Sequence, residues 1–157
     1  MLRWLWLSLS VVGLDQYTKQ LIAARFSLSE SVELLPFLNL TLAHNQGAAF
    51  SFLSDQDGWQ RGFFIVVALV VTLVLVAWLR RLGRGEWRTA LSLSLVIGGA
   101  VGNLIDRVLH GYVIDFIDVY YGSWHWPAFN VADSAICVGV ALLLLDALLV
   151  KSATANS

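Results

Sequence analysis

At 157 residues and a formal net charge of −1, with 58% hydrophobic and only 13% charged residues, the chain has the length of one domain. Its mean hydropathy of +0.72 excludes an ordinary soluble protein and points to a polytopic membrane protein. The net charge says little, because charge is strongly segregated along the chain; the lone cysteine, Cys137, excludes an intrachain disulfide and reads as a small buried hydrophobe.

The first predicted element covers about Trp4 to Ala24. Residues 4–14 resemble the apolar core of a secretory signal peptide, but no small-x-small cleavage site follows and the apolar pattern resumes at Leu21, Ile22 and Ala23. With no lipobox cysteine either, the expectation is an uncleaved transmembrane helix and not a lipoprotein precursor. It carries Asp15 and Lys19 at i, i+4, on one face, with acid before base. That spacing suits an internal ion pair that makes a polar helix end tolerable, or support for a nearby site.

Residues 25–60 change in texture. Phe37 to Ala43 alternates apolar and polar residues with period 2, as a short strand does. Asn45-Gln46-Gly47 is a turn signal, with Asn45 readable as a turn former, and Ala48 to Leu53 is a short apolar return. The expected result is a small extramembrane β-cradle whose aromatics rest on the membrane surface.

A second spanning helix, about 62–80, contains the uncharged run from Gly62 to Leu79, close to the roughly 20 residues that cross a hydrocarbon core. Without a polar cluster it reads as scaffold. The loop from Arg80 to Arg88 holds Arg80, Arg81, Arg84 and Arg88, so the positive-inside rule places it in the cytoplasm, and Arg3 and Lys151 fall on the same side in a four-helix count. A third helix, about 89–108, has Gly98 and Gly102 at the GxxxG spacing that lets another helix approach closely. Gly99, Asn103 and Asp106 follow one stripe of it, and Arg107 stands one turn beyond Asn103. Residues 109–128 are too short and polar to span and read as a loop with interfacial tyrosines and tryptophans. A fourth helix, about 129–150, opens with Asn130 and Asp133 on one face and has Asp146 near its inner end, close to Lys151. The predicted fold is an all-α membrane protein of four transmembrane helices with a periplasmic β-cradle, one domain over residues 1–157.

Counted from the cytoplasmic side, the polar groups of the first, third and fourth helices, together with Asp115, reach a common level at the outer membrane boundary. Carboxylates crowded beside apolar segments cost several kcal/mol unless paired, hydrated or used. The sequence has no HExxH and no GxSxG, and His44, His110 and His125 lack ligand spacing and read as surface residues. A Ser-Lys dyad would need Lys19, which already has Asp15 one turn away. No phosphate-cradling loop is present, and no metal or cofactor is expected. Two neighbouring aspartates remain: they share a proton, the ionised member taking a proton from water while the protonated one polarises a carbonyl. Asp133, one turn into a membrane helix, is the first member. The second is Asp106, Asp115 or Asp118: Asp106 precedes Arg107 and suits a structural ion pair, Asp118 can face water, and Asp115 is flanked on both sides by apolar residues that raise a carboxyl pKa.

The motifs GGAVGNLIDR, GYVIDFID and PAFNVAD, in that order, with Asp15 and Lys19 in the first helix and Asn45-Gln46-Gly47-Ala48-Ala49-Phe50 after it, resemble lipoprotein signal peptidase (signal peptidase II). The resemblance runs from about Leu14 to Asp146, with no departure at a key position. It implies an aspartyl endopeptidase of the bacterial inner membrane, its site facing the periplasm and its termini the cytoplasm. Such enzymes cut diacylglyceryl-modified prolipoproteins before the lipidated cysteine. Carried over, Asp115 and Asp133 are the catalytic pair. Asn45, Gly47, Asn103, Arg107 and Asn130 hold substrate and order the pair, and Asp15, Lys19 and Asp106 support the structure. Implied partners are the lipid-modified substrate, membrane lipid and the cyclic peptide inhibitor globomycin; no nucleic acid is expected, and the chain is expected to act as a monomer. The rival classes are a proton-coupled carrier, which spreads polar groups through the membrane depth, and a lipoprotein-binding chaperone, which tolerates Asp115→Asn.

Overall fold

A computed structural model describes residues 1–47 and 59–155. After a 3-10 turn at Leu2–Trp4 come helix α1 (Leu5–Ala23), strands β1 (Ser31–Leu35) and β2 (Leu38–Asn45), helices α2 (Trp59–Arg81) and α3 (Trp87–Leu109), strands β3 (Val113–Tyr121) and β4 (Trp124–His125), and helix α4 (Val131–Ala155). The apolar return expected at 48–53 lies outside the described residues, as does the side chain of Lys151.

Helices α2, α3 and most of α4 are long and apolar enough to cross a membrane. They use their surfaces differently. Only 6% of the apolar window of α2 is buried within the chain, against 61% for α3, so α2 leaves most of its apolar surface uncovered while α3 is the central post. Helices α1, α2 and α4 all pack against α3. Small residues make this possible. A Cβ on Gly98 would lie 2.8 Å from Val11 Cβ, and one on Gly102 2.6 Å from Asp15 Oδ2, so the GxxxG pair seats α1 within the same chain. On another face of α3, a Cβ on Gly99 would collide with Ala132 O and lie 2.7 Å from Ile136 Cγ1, which brings the start of α4 close. The apolar core toward the arginine-rich end gathers Leu79, Leu82, Ala90, Leu93 and Ile97.

The expected cradle is larger than a hairpin. Residues 109–128, read from sequence as a loop, hold a nine-residue strand, and the sheet runs β1-β2-β3-β4, antiparallel throughout. The polar appearance of this segment comes from Asp115 and Asp118, both buried in the strand and bonded there, so charge density misled a reading that equated polarity with exposure. Gly111 (φ +85°) ends α3 in the left-handed conformation that glycine adopts without strain, its N–H donating to Arg107 O at 3.2 Å. Arg61, at the start of α2, donates to Arg107 O and Val108 O at 2.9 Å each, satisfying carbonyls that the helix end leaves free.

Register matters here. Leu40 pairs with Ile117, but Ala43 pairs with Asp115, so β2 carries one extra residue between those pairs. Side chains alternate faces with period 2, so this bulge moves Asp115 onto the face of Ala43 and Asn45. Without it Asp115 would oppose Leu42, on the other face.

Candidate functional site

Two carboxylates face one cavity of about 720 Å³ from different elements: Asp115 from β3 and Asp133 from the first turn of α4. The chain entering α4 is tied to β3. Phe129 N donates to Ile117 O at 3.0 Å, and Ile117 N donates back to Phe129 O at 2.8 Å. The start of α4 is closed reciprocally: Asn130 Oδ1 accepts from Asp133 N at 2.9 Å, and Asp133 Oδ2 stands 3.3 Å from Asn130 N. This is a capping box with aspartate in the acidic position, so the bonds that start the helix also aim Asp133.

The amide orientations follow from their neighbours. Lys19 has only donors, so the atom of Asn103 that it meets at 2.9 Å must be Oδ1, and Asn103 Nδ2 is left to donate to Asp133 Oδ1 at 2.7 Å. Asn130 Oδ1 is taken by the Asp133 N–H, so Asn130 Nδ2 turns to Asp115 Oδ1 at 2.7 Å. Asn45 supplies the second donor to Asp115, Nδ2 to Oδ2 at 2.9 Å, while its own Oδ1 accepts from Gly47 N at 3.0 Å. Asn45 is thus both turn former and site residue. Burial pushes the Asp115 carboxyl from 3.8 up to about 7, and the charge of Asp133 acts in the same direction, against the Asn45 and Asn130 donors and Lys19.

Behind the asparagines lies a buried ionic cluster. Lys19, 1% exposed, meets Asp15 Oδ2 at 2.8 Å and Asp106 Oδ2 at 2.9 Å. Asp15 Oδ1 accepts from Ala132 N at 2.9 Å, so α1 also caps α4. Asp106 therefore belongs to an ion pair as expected, but with Lys19 and not with its neighbour Arg107. Arg107 instead donates from Nη2 to Gly47 O at 2.8 Å and lies over the Phe64 ring at 5.2 Å. Its buried Nε has no partner among the described residues.

Several readings need correction. Asp115 does not hang in a loop but lies in β3, opposite Ala43. Asp118 does not simply face water: it is buried, accepting from Asn39 Nδ2 at 2.8 Å and meeting His125 Nδ1 at 2.9 Å. Cys137 is exposed, on the cavity side of α4, because α4 buries little of its surface within the chain. Asp146 is bonded to Thr89 Oγ1 at 2.9 Å, with Arg88 3.9 Å away. Sequence reasoning missed Gln16, whose Nε2 donates to Asp106 Oδ1 at 2.8 Å; its place beside Asp15 and three residues before Lys19 was the available signal. The Ile114 N–H, which reaches Asp106 Oδ2 at 3.1 Å, left no signal at all.

Residues 7–149 match the family model described as signal peptidase (SPase) II. The chain is 56% identical over 147 residues to a lipoprotein signal peptidase of Shewanella woodyi, covering 94% of this chain and 84% of that protein. To the lipoprotein signal peptidase of Photorhabdus laumondii it is 51% identical over 148 residues, covering 94% and 89%. A solved structure described as a bacterial membrane enzyme, obtained by the in meso method at 2.3 Å resolution, superposes with a TM-score of 0.87 at 35% identity, over 97% of this chain and 91% of that one. A second, described in the same words at 1.9 Å, gives 0.82 at 35% identity, over 94% of each. Likeness of this extent reaches sequence and fold together, through every element that builds the cavity: the chain belongs to the signal peptidase II family of integral membrane peptidases.

Proposed function

We propose that the chain is an aspartyl endopeptidase that removes signal peptides from diacylglyceryl-modified prolipoproteins, cutting before the lipidated cysteine with Asp115 and Asp133 as its catalytic pair. One observation carries this reading: two carboxylates from separate elements face one cavity, each held by an asparagine amide whose orientation is fixed from behind. Near neutral pH Asp115, raised to about 7 by burial, supplies the shared proton to the scissile carbonyl oxygen. The ionised member of the pair takes a proton from water as the water oxygen attacks the carbonyl carbon. The roles then reverse: the pair takes back the hydroxyl proton and gives one to the leaving nitrogen as the C–N bond breaks. Asn45, Asn103 and Asn130 order the pair, while Gly47 holds Arg107 where its guanidinium can orient a substrate carbonyl or lipid ester oxygen. Asp15, Lys19 and Asp106 hold the frame.

The substrate is a membrane-embedded peptide with a lipid on its cysteine, so entry is lateral, and the apolar cavity wall offered by Ile136 and Val138 of α4 suits it. The same cavity is where a globomycin-type inhibitor would compete. In this reading α1 is the fourth span: 19 residues cover about 28 Å, and its polar residues are bonded within the chain instead of meeting lipid, Gln16 and Lys19 to Asp106 of α3 and Asp15 to Lys19 and the Ala132 N–H of α4. The spans are about 4–24, 62–80, 89–108 and 129–150, with the cradle of 25–60 and the segment 109–128 in the periplasm, both termini in the cytoplasm, and the bacterial inner membrane as host. The protein acts as a monomer, since Gly98, Gly99 and Gly102 are used up by contacts inside the chain. The test is a gel-shift cleavage assay on a diacylglyceryl-modified prolipoprotein in detergent. Wild type should cut, while Asp115→Asn and Asp133→Asn bind without cutting; near wild-type turnover in either variant would remove that residue from the pair.

A further inference from the structure

We propose that the other face of the sheet carries a binding groove for the polar peptide segment that follows the cleavage point, an assignment that rests on the peptidase reading above. A shallow, open groove of about 700 Å³ adjoins the cavity faced by Asp115 and Asp133, and the two share Ala43 and the segment 126–128 as a common wall. Asp115 and Asp118, three apart in β3, project to opposite faces of the sheet. The first therefore serves the cavity and the second the groove.

The groove is built from hydrogen-bonding side chains that the proposed mechanism leaves unused. Asp118 is buried at its floor and engaged by Asn39 Nδ2 at 2.8 Å and His125 Nδ1 at 2.9 Å. A carboxylate only accepts, so the Nδ1 proton of His125 points at Asp118 and its Nε2 faces away from that carboxyl. That ring is about half exposed, with its side chain at 52%, and is stacked on Tyr120 at 5.3 Å, so it is held but accessible. The Thr41 hydroxyl donates to Glu30 O at 2.9 Å, which leaves its oxygen free to accept. Ser29 and Ser31 add hydroxyl donors, and Ser29 holds a left-handed φ of 65° that a non-glycine residue adopts at a cost.

Acceptors and donors interspersed in an open groove match the N–H and C=O groups of an extended peptide. Among the described residues no lysine or arginine lines it, so it does not suit a phosphate or an anionic headgroup. At about 3.3 Å per residue, the three-residue step along β3 from Asp115 to Asp118 is some 10 Å, within reach of roughly the third to fifth residue after the scissile bond.

The experiment compares two lipid-modified substrates cut by the full-length protein in detergent. One carries about ten residues beyond the lipidated cysteine and the other ends at the cysteine amide. Wild type should show a KM about fivefold to tenfold lower for the long substrate, the scale of one or two net hydrogen bonds. His125→Ala, and independently Ser31→Trp, which fills the groove from an exposed position, should raise the long-substrate KM toward that of the short one. Both should leave kcat and the whole short-substrate reaction unchanged. A wild-type KM indifferent to the mature segment, or variants that alter both substrates equally, would overturn the groove assignment while leaving the peptidase reading intact. Failure of wild type to cut either substrate would overturn the peptidase reading, and the groove assignment with it.

Discussion

Replacing Lys19 with methionine keeps the length of the side chain and removes one buried ammonium. Three groups lose the ammonium as a partner together: Asp15 Oδ2 at 2.8 Å, Asp106 Oδ2 at 2.9 Å and Asn103 Oδ1 at 2.9 Å. Lys19, Asp15 and Asp106 are all within 1% of full burial, so water cannot take over. Removing one partner of a buried pair typically costs about 3–5 kcal/mol, because an uncompensated charge stays behind. At roughly 2–4 °C per kcal/mol for a chain of this size, the melting temperature in detergent should fall by about 6–20 °C. Asp106 keeps its bonds from Gln16 and the Ile114 N–H, and Asp15 keeps that from Ala132 N, which argues for the lower half of that range. Adding Asp106→Asn to Lys19→Met removes one of the stranded charges and should recover part of the loss, a coupling that a double-mutant thermal-melt cycle measures directly. A Lys19→Met protein that melts within 2 °C of wild type, or a double variant no more stable than the additive sum, would refute the view that this ammonium neutralises the cluster.

Other outcomes test neighbouring links. Since the folded-state pKa of Asp115 is raised from 3.8 to about 7, the native state keeps a proton that the unfolded chain has released; stability should decline as pH rises from about 4 to about 7, by a few kcal/mol, and then level off, a slope that Asp115→Asn should flatten in denaturant titrations. Asn45→Ala removes a donor that holds this carboxyl down, so the limb of the pH–rate profile near 7 should move to higher pH and turnover should drop, whereas an unmoved profile would show that Asn45 acts only as a turn former. Gly99→Ala drives a methyl group into Ala132 O and Ile136, and should cost about 1–3 kcal/mol by thermal melt while shifting Asp133 enough to slow cleavage. Gly13→Ala, with nothing within 4 Å of the added atom, should be neutral or stabilising in the same melt.

Much of this protein was readable before any coordinate. Runs of apolar residues long enough to cross a membrane mark α2, α3 and α4, because lipid demands that length and composition whatever the neighbours are. The i, i+4 spacing of Asp15 and Lys19 gave their ion pair, since a helix places those side chains together by geometry alone. The period-2 pattern at 37–43 gave β2 for the same local reason. Tertiary structure decided what local pattern does not encode. The strand at 113–121 was hidden because its aspartates mimic a loop until their hydrogen-bonding partners, Asn45, Asn130, Asn39 and His125, arrive from other segments. Which β2 side chains share the face of Asp115, Asn45 among them, depends on one extra residue in β2, a register choice invisible to periodicity. The asparagine amides were legible as polar residues but not as oriented donors: their direction is set by an ammonium from α1 and a backbone N–H of α4, and only long-range packing brings those together.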